Sequence, residues 1–171
     1  LANHAVKNNI KIACNPGGKE LDHGLEKLKP LLAQIDIFIT NKEEGASLVK
    51  DGSWEQVLKS LKSLVKGVVV ITNGHEGVLV ADGSGVYSAG VPNSPIVERT
   101  GAGDAFGSGF VAEYIRRLEA GNQKPEAVAK AIQFATANAS SVVTKFGAKA
   151  GILRKGDWGP WPLVEVSESQ V

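Results

Sequence analysis

Two patterns of hydrophobic positions alternate along the chain, one with helical spacing and one made of short apolar runs. Apolar residues three and four positions apart predict helices over residues 21–32, 53–65, 104–119 and 124–144. Short, nearly unbroken apolar runs predict strands covered on both faces, over residues 10–14, 35–40 and 68–72. Residues 78–81 and 85–89 predict a hairpin around Asp82-Gly83-Ser84. Strands that alternate with helices predict an α/β fold, a three-layer α/β/α sandwich with a mainly parallel sheet.

Composition bounds the class of protein without naming a function. The chain has 171 residues, enough for one domain with a core, and its 19 Lys and Arg nearly balance its 18 Asp and Glu. A net charge of +1 argues against nucleic acid or a membrane surface as a partner. No apolar run reaches the length of a membrane span. The single cysteine, Cys14, fits a reducing compartment, so we expect a cytoplasmic protein.

A glycine-rich turn that leads into a helix is the most informative stretch, Gly101-Ala102-Gly103-Asp104. Phe106 and Phe110 follow at helical spacing, which predicts a helix that begins near Asp104. Unpaired backbone N–H groups and the helix dipole make such a turn an anion site, and phosphate is the usual anion. Asp104 has two interpretations: it caps the helix, or it deprotonates a hydroxyl that attacks a bound phosphoryl group.

The Gly-Ala-Gly-Asp stretch, followed by Ala105-Phe106, resembles the second signature of the ribokinase (PfkB-type) family of sugar kinases. The resemblance implies that Asp104 is the catalytic base. It also implies that the backbone amides of Gly101, Ala102 and Gly103 form the anion hole for the transferred phosphoryl group. Where the family has Asp-Thr before these glycines, this chain has Glu98-Arg99. A monovalent cation, which the family's Asp helps to bind, therefore stays open as a further cofactor.

Two shorter motifs follow predicted strands in the family's order. Asn41-Lys42-Glu43-Glu44 matches an Asn-x-x-Glu signature that contacts phosphates and magnesium-bound water, which makes Asn41 a nucleotide contact and Glu44 the candidate for orienting the metal. The spacing of these residues alone fits equally well with a structural role, in which Glu43 and Glu44 are acidic residues in the first turn of a helix. Thr72-x-Gly74-x-x-Gly77 matches a nucleotide phosphate contact in the family, although Asn73-Gly74 alone predicts a hairpin turn.

The last predicted helix carries a stripe of small residues, Ala127, Ala131, Ala135 and Ala139. Close helix packing explains such a stripe, and so does room for a flat base. The family binds adenine beside this helix and often has an Asn at the position of Asn138. Phe146-Gly147-Ala148 resembles the family's closing loop.

Together these matches imply a nucleotide-binding and catalytic portion of a ribokinase-like domain over residues 1–150. The tail over residues 151–171 is rich in Trp and Pro and has no assigned role. Because the chain begins with Leu1 and contains no Met, we expect a piece of a longer protein that lacks its N-terminal part.

The implied activity is ATP-dependent phosphorylation of a hydroxyl on a small sugar or sugar-like substrate, with ATP and Mg²⁺ as cofactors. The alternative is a non-catalytic nucleotide-binding module of the same fold, and formation of a homo-oligomer stays open. A nicotinamide-dependent oxidoreductase is disfavoured, because Phe106 stands where the dinucleotide fingerprint needs its third glycine.

Overall fold

The computed structural model describes residues 1–169, and its chain divides into two compact units. Unit 1 is formed by Leu1–Gly74 and Val78–Val86, with Ser169. Unit 2 is formed by His75–Gly77 and Tyr87–Glu168. Residues 170 and 171, the end of the predicted tail, lie outside the described residues.

Unit 1 holds most of the strands and the shorter helices. Its helices are α1 (Ala2–Lys7), α2 (Gly18–Leu21), α3 (Leu25–Leu32), α4 (Lys42–Val49) and α5 (Trp54–Leu64). Its strands are β1 (Ala13–Cys14), β2 (Ile37–Asn41), β3 (Val68–Thr72) and β4 (Val78–Ala81). Strands β1, β2 and β3 pair in parallel, and β4 is antiparallel to β3.

Two more strands and two long helices complete the chain. Strands β5 (Val86–Ala89) and β6 (Ser167–Ser169) extend the sheet, whose strand order is the chain order from β1 to β6. The helices of unit 2 are α6 (Ala102–Glu119) and α7 (Lys124–Val143). The predicted α/β fold class is therefore confirmed, as a mixed six-stranded sheet.

Strand β3 and helix α5 form the centre of unit 1. The run Val-Val-Val-Ile of β3 is buried throughout, as expected of a strand covered on both faces. Helix α5 begins where the Ser53 hydroxyl accepts a hydrogen bond from the Gln56 amide (3.2 Å), and it buries Val57, Leu58 and Leu61. Because these side chains recur at helical spacing, one face of α5 packs onto β3 and β4.

The helix predicted over residues 21–32 is wrong at its start, because α2 ends at Leu21 and the next helix, α3, begins at Leu25. The chain turns between α2 and α3 at Gly24, whose φ of +81° is a conformation that favours glycine. Pro30 lies inside α3, and the helix ends two residues later at Leu32. The first strand is also shorter than predicted, since only Ala13 and Cys14 pair with β2.

Helices α6 and α7 pack against one another in unit 2. The small residues Ala127, Ala131 and Ala135 are fully buried, and a Cβ added to Gly109 of α6 would lie 3.2 Å from the Ala135 Cα. Close helix packing therefore accounts for these positions of the small-residue stripe. The buried Glu113 carboxylate is paired with Arg116 and with Arg117, whose Nε lies 2.7 Å from its Oε1.

Among residues 1–169, none of the helices combines the length and the apolar character that crossing a membrane requires.

A glycine fixes the spacing between β2 and β3 at their start. A Cβ added to Gly67 would lie 1.9 Å from the carbonyl oxygen of Asp36, which accepts a hydrogen bond from the Val68 amide at 2.9 Å. Any side chain at position 67 would therefore push the two strands apart.

We predict that Gly67→Ala lowers the free energy of unfolding of the 171-residue chain by about 1–3 kcal/mol, because the added methyl group overlaps fixed backbone. Chemical denaturation followed by circular dichroism measures the change. Gly52→Ala is the matched control, since nothing lies within 4 Å of its added Cβ. The control should change stability by less than about 0.5 kcal/mol, and equal stability of the two variants would contradict the prediction.

Candidate functional site

The glycine turn caps helix α6 with a left-handed residue. Gly101 has a φ of +83° and is the N-cap, so α6 begins at Ala102. The prediction that the helix begins near Asp104 is therefore wrong by two residues, and so is the interpretation of Asp104 as its cap. Asp104 lies in the first turn of α6, is exposed, and makes no side-chain cap hydrogen bond. Its carboxylate is thus free of a structural task at the helix start.

The turn leaves several backbone amides without an acceptor. The Ala102 amide donates to the Arg99 carbonyl oxygen at 3.2 Å, and the Ala105 amide donates to that of Gly101 at 2.8 Å. Within residues 1–169, the amides of Gly101, Gly103 and Asp104 reach no backbone or side-chain acceptor. They lie at the positive end of an 18-residue helix, which makes this turn suited to an anion.

The segment after α7 lies directly against this turn. A Cβ added to Gly101 would lie 2.5 Å from the Ala148 carbonyl oxygen and 2.6 Å from the Ala148 Cα. Position 101 therefore needs glycine for two reasons, its positive φ and its contact with Ala148. The match of Phe146-Gly147-Ala148 to a closing loop agrees with this contact.

Glu98 connects the same segment to the chain before the turn. Its Oε2 accepts a hydrogen bond from the Gly147 amide at 2.7 Å. This hydrogen bond, and a second one from the Thr100 hydroxyl, lower the pKa of the Glu98 carboxyl, because both donors favour its charged form.

Asn138 lies inside unit 2 rather than at a surface where a base would bind. Its side chain is buried; Nδ2 donates to the Ala105 carbonyl oxygen at 2.7 Å, and Oδ1 accepts from the Leu153 amide at 2.8 Å. Both ends of the amide are therefore used within the protein. Since Ala105 belongs to the first turn of α6, Asn138 holds that turn in place.

In unit 1, Asn41 and Glu44 form a capping box at the start of α4. The Asn41 Oδ1 accepts from the Glu44 amide at 2.8 Å, and the Glu44 Oε2 accepts from the Asn41 amide at 3.3 Å. The Glu44 Oε2 also accepts from the Thr40 hydroxyl at 3.2 Å. The sequence spacing predicted that acidic residues lie in the first turn of a helix here. The capping box explains locally why position 41 is Asn and position 44 is Glu.

The ends of β2 and β3 bring two predicted phosphate contacts together. Asn41 and Thr72 are paired in the strand register, each as the last residue of its strand. Gly74, with a φ of +54°, then begins a short 3-10 helix, Gly74–Glu76. This is the carboxyl edge of a parallel strand pair, where ligands of open α/β sheets gather.

Gly77 of unit 2 has a structural reason to be glycine. Its φ is +106°, and an added Cβ would lie 2.0 Å from the Ala89 carbonyl oxygen. Gly77 is also buried. Backbone packing is therefore sufficient to explain the last glycine of the Thr-x-Gly-x-x-Gly motif, without a ligand contact.

Sequence reasoning missed two features of this region. It treated Asn138 only as a candidate nucleotide contact and Glu98 only as a departure from a cation site. Their partners lie 33 and 49 residues away in the chain, at Ala105 and Gly147. No periodicity or local motif signals such pairs.

The fold is α/β, and helix α6 begins with backbone amides suited to an anion. Residues 2–155 match the profile of the pfkB family of carbohydrate kinases, and the chain belongs to that family.

Individual relatives share the match. The chain is 32% identical to a cytidine kinase of Thermococcus kodakarensis over 119 residues, which are 68% of this chain and 43% of that protein. It is 26% identical to a ribokinase of Lactococcus lactis over 153 residues, covering 89% of this chain and 45% of that protein. The chain thus spans less than half the length of these two curated relatives.

Solved structures share the fold. A structure of the ribokinase II type from Escherichia coli, in complex with ATP and Mg²⁺, matches with a TM-score of 0.72 and 23% identity, covering 90% of this chain and 48% of that one. A ribokinase from Giardia lamblia matches with a TM-score of 0.72 and 21% identity, covering 86% of this chain and 48% of that one.

We predict that Asn138→Ala destabilises the chain by about 1–3 kcal/mol, because the Leu153 amide loses its acceptor inside the protein. Thermal unfolding with and without denaturant measures the loss. Asn93→Ala removes an exposed amide and is the control, expected to stay within about 0.5 kcal/mol of the parent chain. A loss no larger than that of the control would argue that the two Asn138 hydrogen bonds carry little stability.

Proposed function

We propose that the whole protein is an ATP-dependent kinase that phosphorylates a hydroxyl group of a sugar or sugar-like substrate. The observation that carries this proposal is the start of α6. Three amides without acceptors lie there beside Asp104, an exposed carboxylate that has no cap to maintain. Phosphoryl transfer needs these two groups together, donors for the charge on the transferred group and an acceptor for the hydroxyl proton.

Each residue of the turn has a role in this proposal. The amides of Gly101, Gly103 and Asp104 donate to the equatorial oxygens of the phosphoryl group, and they need no reorganisation because α6 already orients them. The Ala102 amide, which donates to Arg99, is not needed for this role. The Asp104 carboxylate accepts the proton of the substrate hydroxyl as the hydroxyl oxygen bonds to the γ-phosphorus of ATP, and the bond from that phosphorus to the bridging oxygen breaks to release ADP.

Basic residues flank the two segments of unit 2 that meet at Gly101. Arg99 precedes the turn, and Lys145 and Lys149 lie on either side of Ala148, which contacts Gly101; all three side chains are exposed. Positive charges at these positions favour an anionic ligand.

The residues of unit 1 fit a metal held mainly by phosphates. Among residues 1–169, no three His, Cys, Asp or Glu side chains cluster to hold a metal ion. Mg²⁺, however, usually keeps several waters and binds one or two carboxylates plus substrate phosphates. Glu44 suits that arrangement, since its Oε2 takes the protein hydrogen bonds and its Oε1 stays available to a metal-bound water. When bound, Mg²⁺ neutralises charge on the phosphates.

Within unit 1, the proposed phosphate contacts are Asn41, Thr72 and Gly74. The Asn41 Oδ1 is used by the capping box, which leaves its Nδ2 as a donor to a phosphate oxygen. The Thr72 hydroxyl and the exposed backbone at Gly74 follow on the neighbouring strand. For Asn138, the buried hydrogen bonds support an indirect role: it fixes the first turn of α6 rather than touching the base.

Calorimetry of the 171-residue chain with ADP and Mg²⁺ tests the nucleotide part of the proposal, and saturable binding is expected. A coupled assay of the whole protein with ATP and a panel of sugars and nucleosides tests the transfer. Turnover supports a kinase, whereas binding without turnover of any acceptor supports a non-catalytic nucleotide-binding module. No binding of ADP or ATP by either form would refute both.

We predict that Asp104→Asn in the whole protein lowers turnover on the order of 10²–10⁴-fold while ATP still binds, because an amide cannot accept the hydroxyl proton. Steady-state kinetics and ATP titration of the variant measure the two effects separately.

Glu126→Gln is the matched control, since Glu126 is an exposed acid in the first turn of the other long helix, α7. Both changes remove one carboxylate from a helix start, so any general loss of helix stability appears in both. If turnover of the Asp104 variant stays within a few-fold of the control, Asp104 is not the catalytic base.

We predict that Glu44→Gln raises the Mg²⁺ concentration needed for half-maximal activity more than it weakens binding of the acceptor. Gln retains the capping box, so the fold of α4 should survive while the charge beside the metal-bound water is lost. Activity titrated with Mg²⁺ measures the shift. Glu43→Gln is the control, since Glu43 is an exposed acid in the same turn. If activity depends on the Mg²⁺ concentration identically in both variants, Glu44 only caps the helix.

A further inference from the structure

Residues 145–151, which we call the covering segment, lie against the glycine turn with few contacts to hold them. Six of the seven residues, 145–150, are exposed. At its first end the Lys145 amide donates to the Val142 carbonyl oxygen (3.0 Å), which continues α7. Near its other end, a Cβ added to Gly151 would lie 2.6 Å from the Ser141 carbonyl oxygen. The middle of the covering segment, at Gly147 and Ala148, is the part that reaches the turn.

One side chain holds that middle part. The Gly147 amide donates to the Glu98 Oε2 at 2.7 Å, which ties the covering segment to a residue 49 positions earlier in the chain. Within residues 1–169, the other backbone hydrogen bond from the covering segment to a residue outside it and α7 is the local one from the Ile152 amide to the Lys149 carbonyl oxygen (3.5 Å). Next along the chain, Ala148 approaches so closely that position 101 has no room for a Cβ. The position of Ala148 against Gly101 therefore depends on the bond made one residue earlier.

The backbone of Glu98 is itself held by hydrogen bonds to the end of α7. The amides of Val97 and Glu98 both donate to the Val143 carbonyl oxygen at the end of α7, at 2.8 and 3.1 Å. Glu98 thus spans from the end of α7 to the middle of the covering segment.

A carboxylate three residues before Gly101 is unfavourable for an anion site unless it serves another purpose. Like charges repel, so a free acid here would weaken phosphate binding at the turn. The Gly147 amide instead donates to the Glu98 carboxylate, and a neutral residue without an acceptor oxygen, such as alanine, would avoid the repulsion but give up this bond. This balance indicates that holding the covering segment outweighs the electrostatic cost.

We propose that Glu98 is a positioning residue whose carboxylate holds the covering segment against Gly101, and that this contact increases the affinity of the turn for a nucleotide phosphate. The second part rests on the proposed function. The contact keeps the turn in the conformation that presents its free amides, so the ordering of the loop is complete before the ligand binds.

Glu98→Ala in the 171-residue chain removes the acceptor, and Glu98→Gln keeps an oxygen that can accept from Gly147 without the charge. Amide hydrogen exchange followed by NMR measures the Gly147 amide without any ligand. We expect exchange to become about three- to tenfold faster in the Ala variant and to stay near the parent value in the Gln variant, as for the loss of one exposed hydrogen bond. Glu119→Ala, an exposed acid at the end of α6, is the control.

Calorimetry with ADP and Mg²⁺ on the same four proteins measures the coupling. The Ala variant should bind about three- to tenfold more weakly, with the Gln and Glu119 variants close to the parent. In the whole protein the same variant should raise the KM for ATP more than it lowers kcat, which general destabilisation would not do.

Unchanged Gly147 exchange in the Ala variant would overturn the proposal at its first step. Faster exchange with unchanged ADP affinity would overturn the coupling, while leaving the proposed function intact. A Gln variant that binds as weakly as the Ala variant would show that charge, and not an acceptor for Gly147, is what matters, and would also overturn the proposal. If neither the parent chain nor the whole protein binds ADP or ATP, the proposed function is refuted and the affinity step with it, and the exchange data then test the positioning step alone.

Discussion

The absence of a side chain at position 101 is the constraint on which the candidate site depends. Gly101 takes a left-handed conformation, with a φ of +83°, and the Ala148 carbonyl oxygen occupies the space a Cβ would fill. Because the glycine caps α6, the helix begins at Ala102 and its first amides point away from the protein's own acceptors. A single residue thus produces the helix start, the unpaired donors and the contact with the segment after α7.

Local patterns predicted the elements of this region but not their junction. The spacing of Phe106 and Phe110 predicts a helix, yet that periodicity fits a start at Ala102 as well as one at Asp104. The general preference of Asp for the N-cap then favours the wrong residue. The left-handed glycine prevails because its conformation is fixed by packing against Ala148, a contact 47 residues away that no window of sequence contains.

The capping box of α4 illustrates a different limit. Asn41 and Glu44 were predicted from a spacing of three, which serves a helix start and a phosphate site equally well. The structure contains the helix start, and the capping box leaves part of Glu44 available for the second role. A carboxylate has two oxygens, and the hydrogen bonds to Glu44 occupy Oε2. Sequence and geometry therefore both single out Asn41 and Glu44. The metal role proposed for Glu44 comes from the family's Asn-x-x-Glu motif, and the Mg²⁺ titration of its variant tests it.

Gly103 supplies the strongest structural argument for a ligand at the turn. Unlike Gly101, it has no positive φ, and nothing lies within 4 Å of an added Cβ. Glycine within a helix costs roughly 0.5–1 kcal/mol relative to alanine, so an alanine here would fit and would stabilise α6. A glycine that the protein's own packing does not require, at the positive end of a helix and next to unpaired amides, is what a site needs when a phosphoryl group must approach the backbone itself.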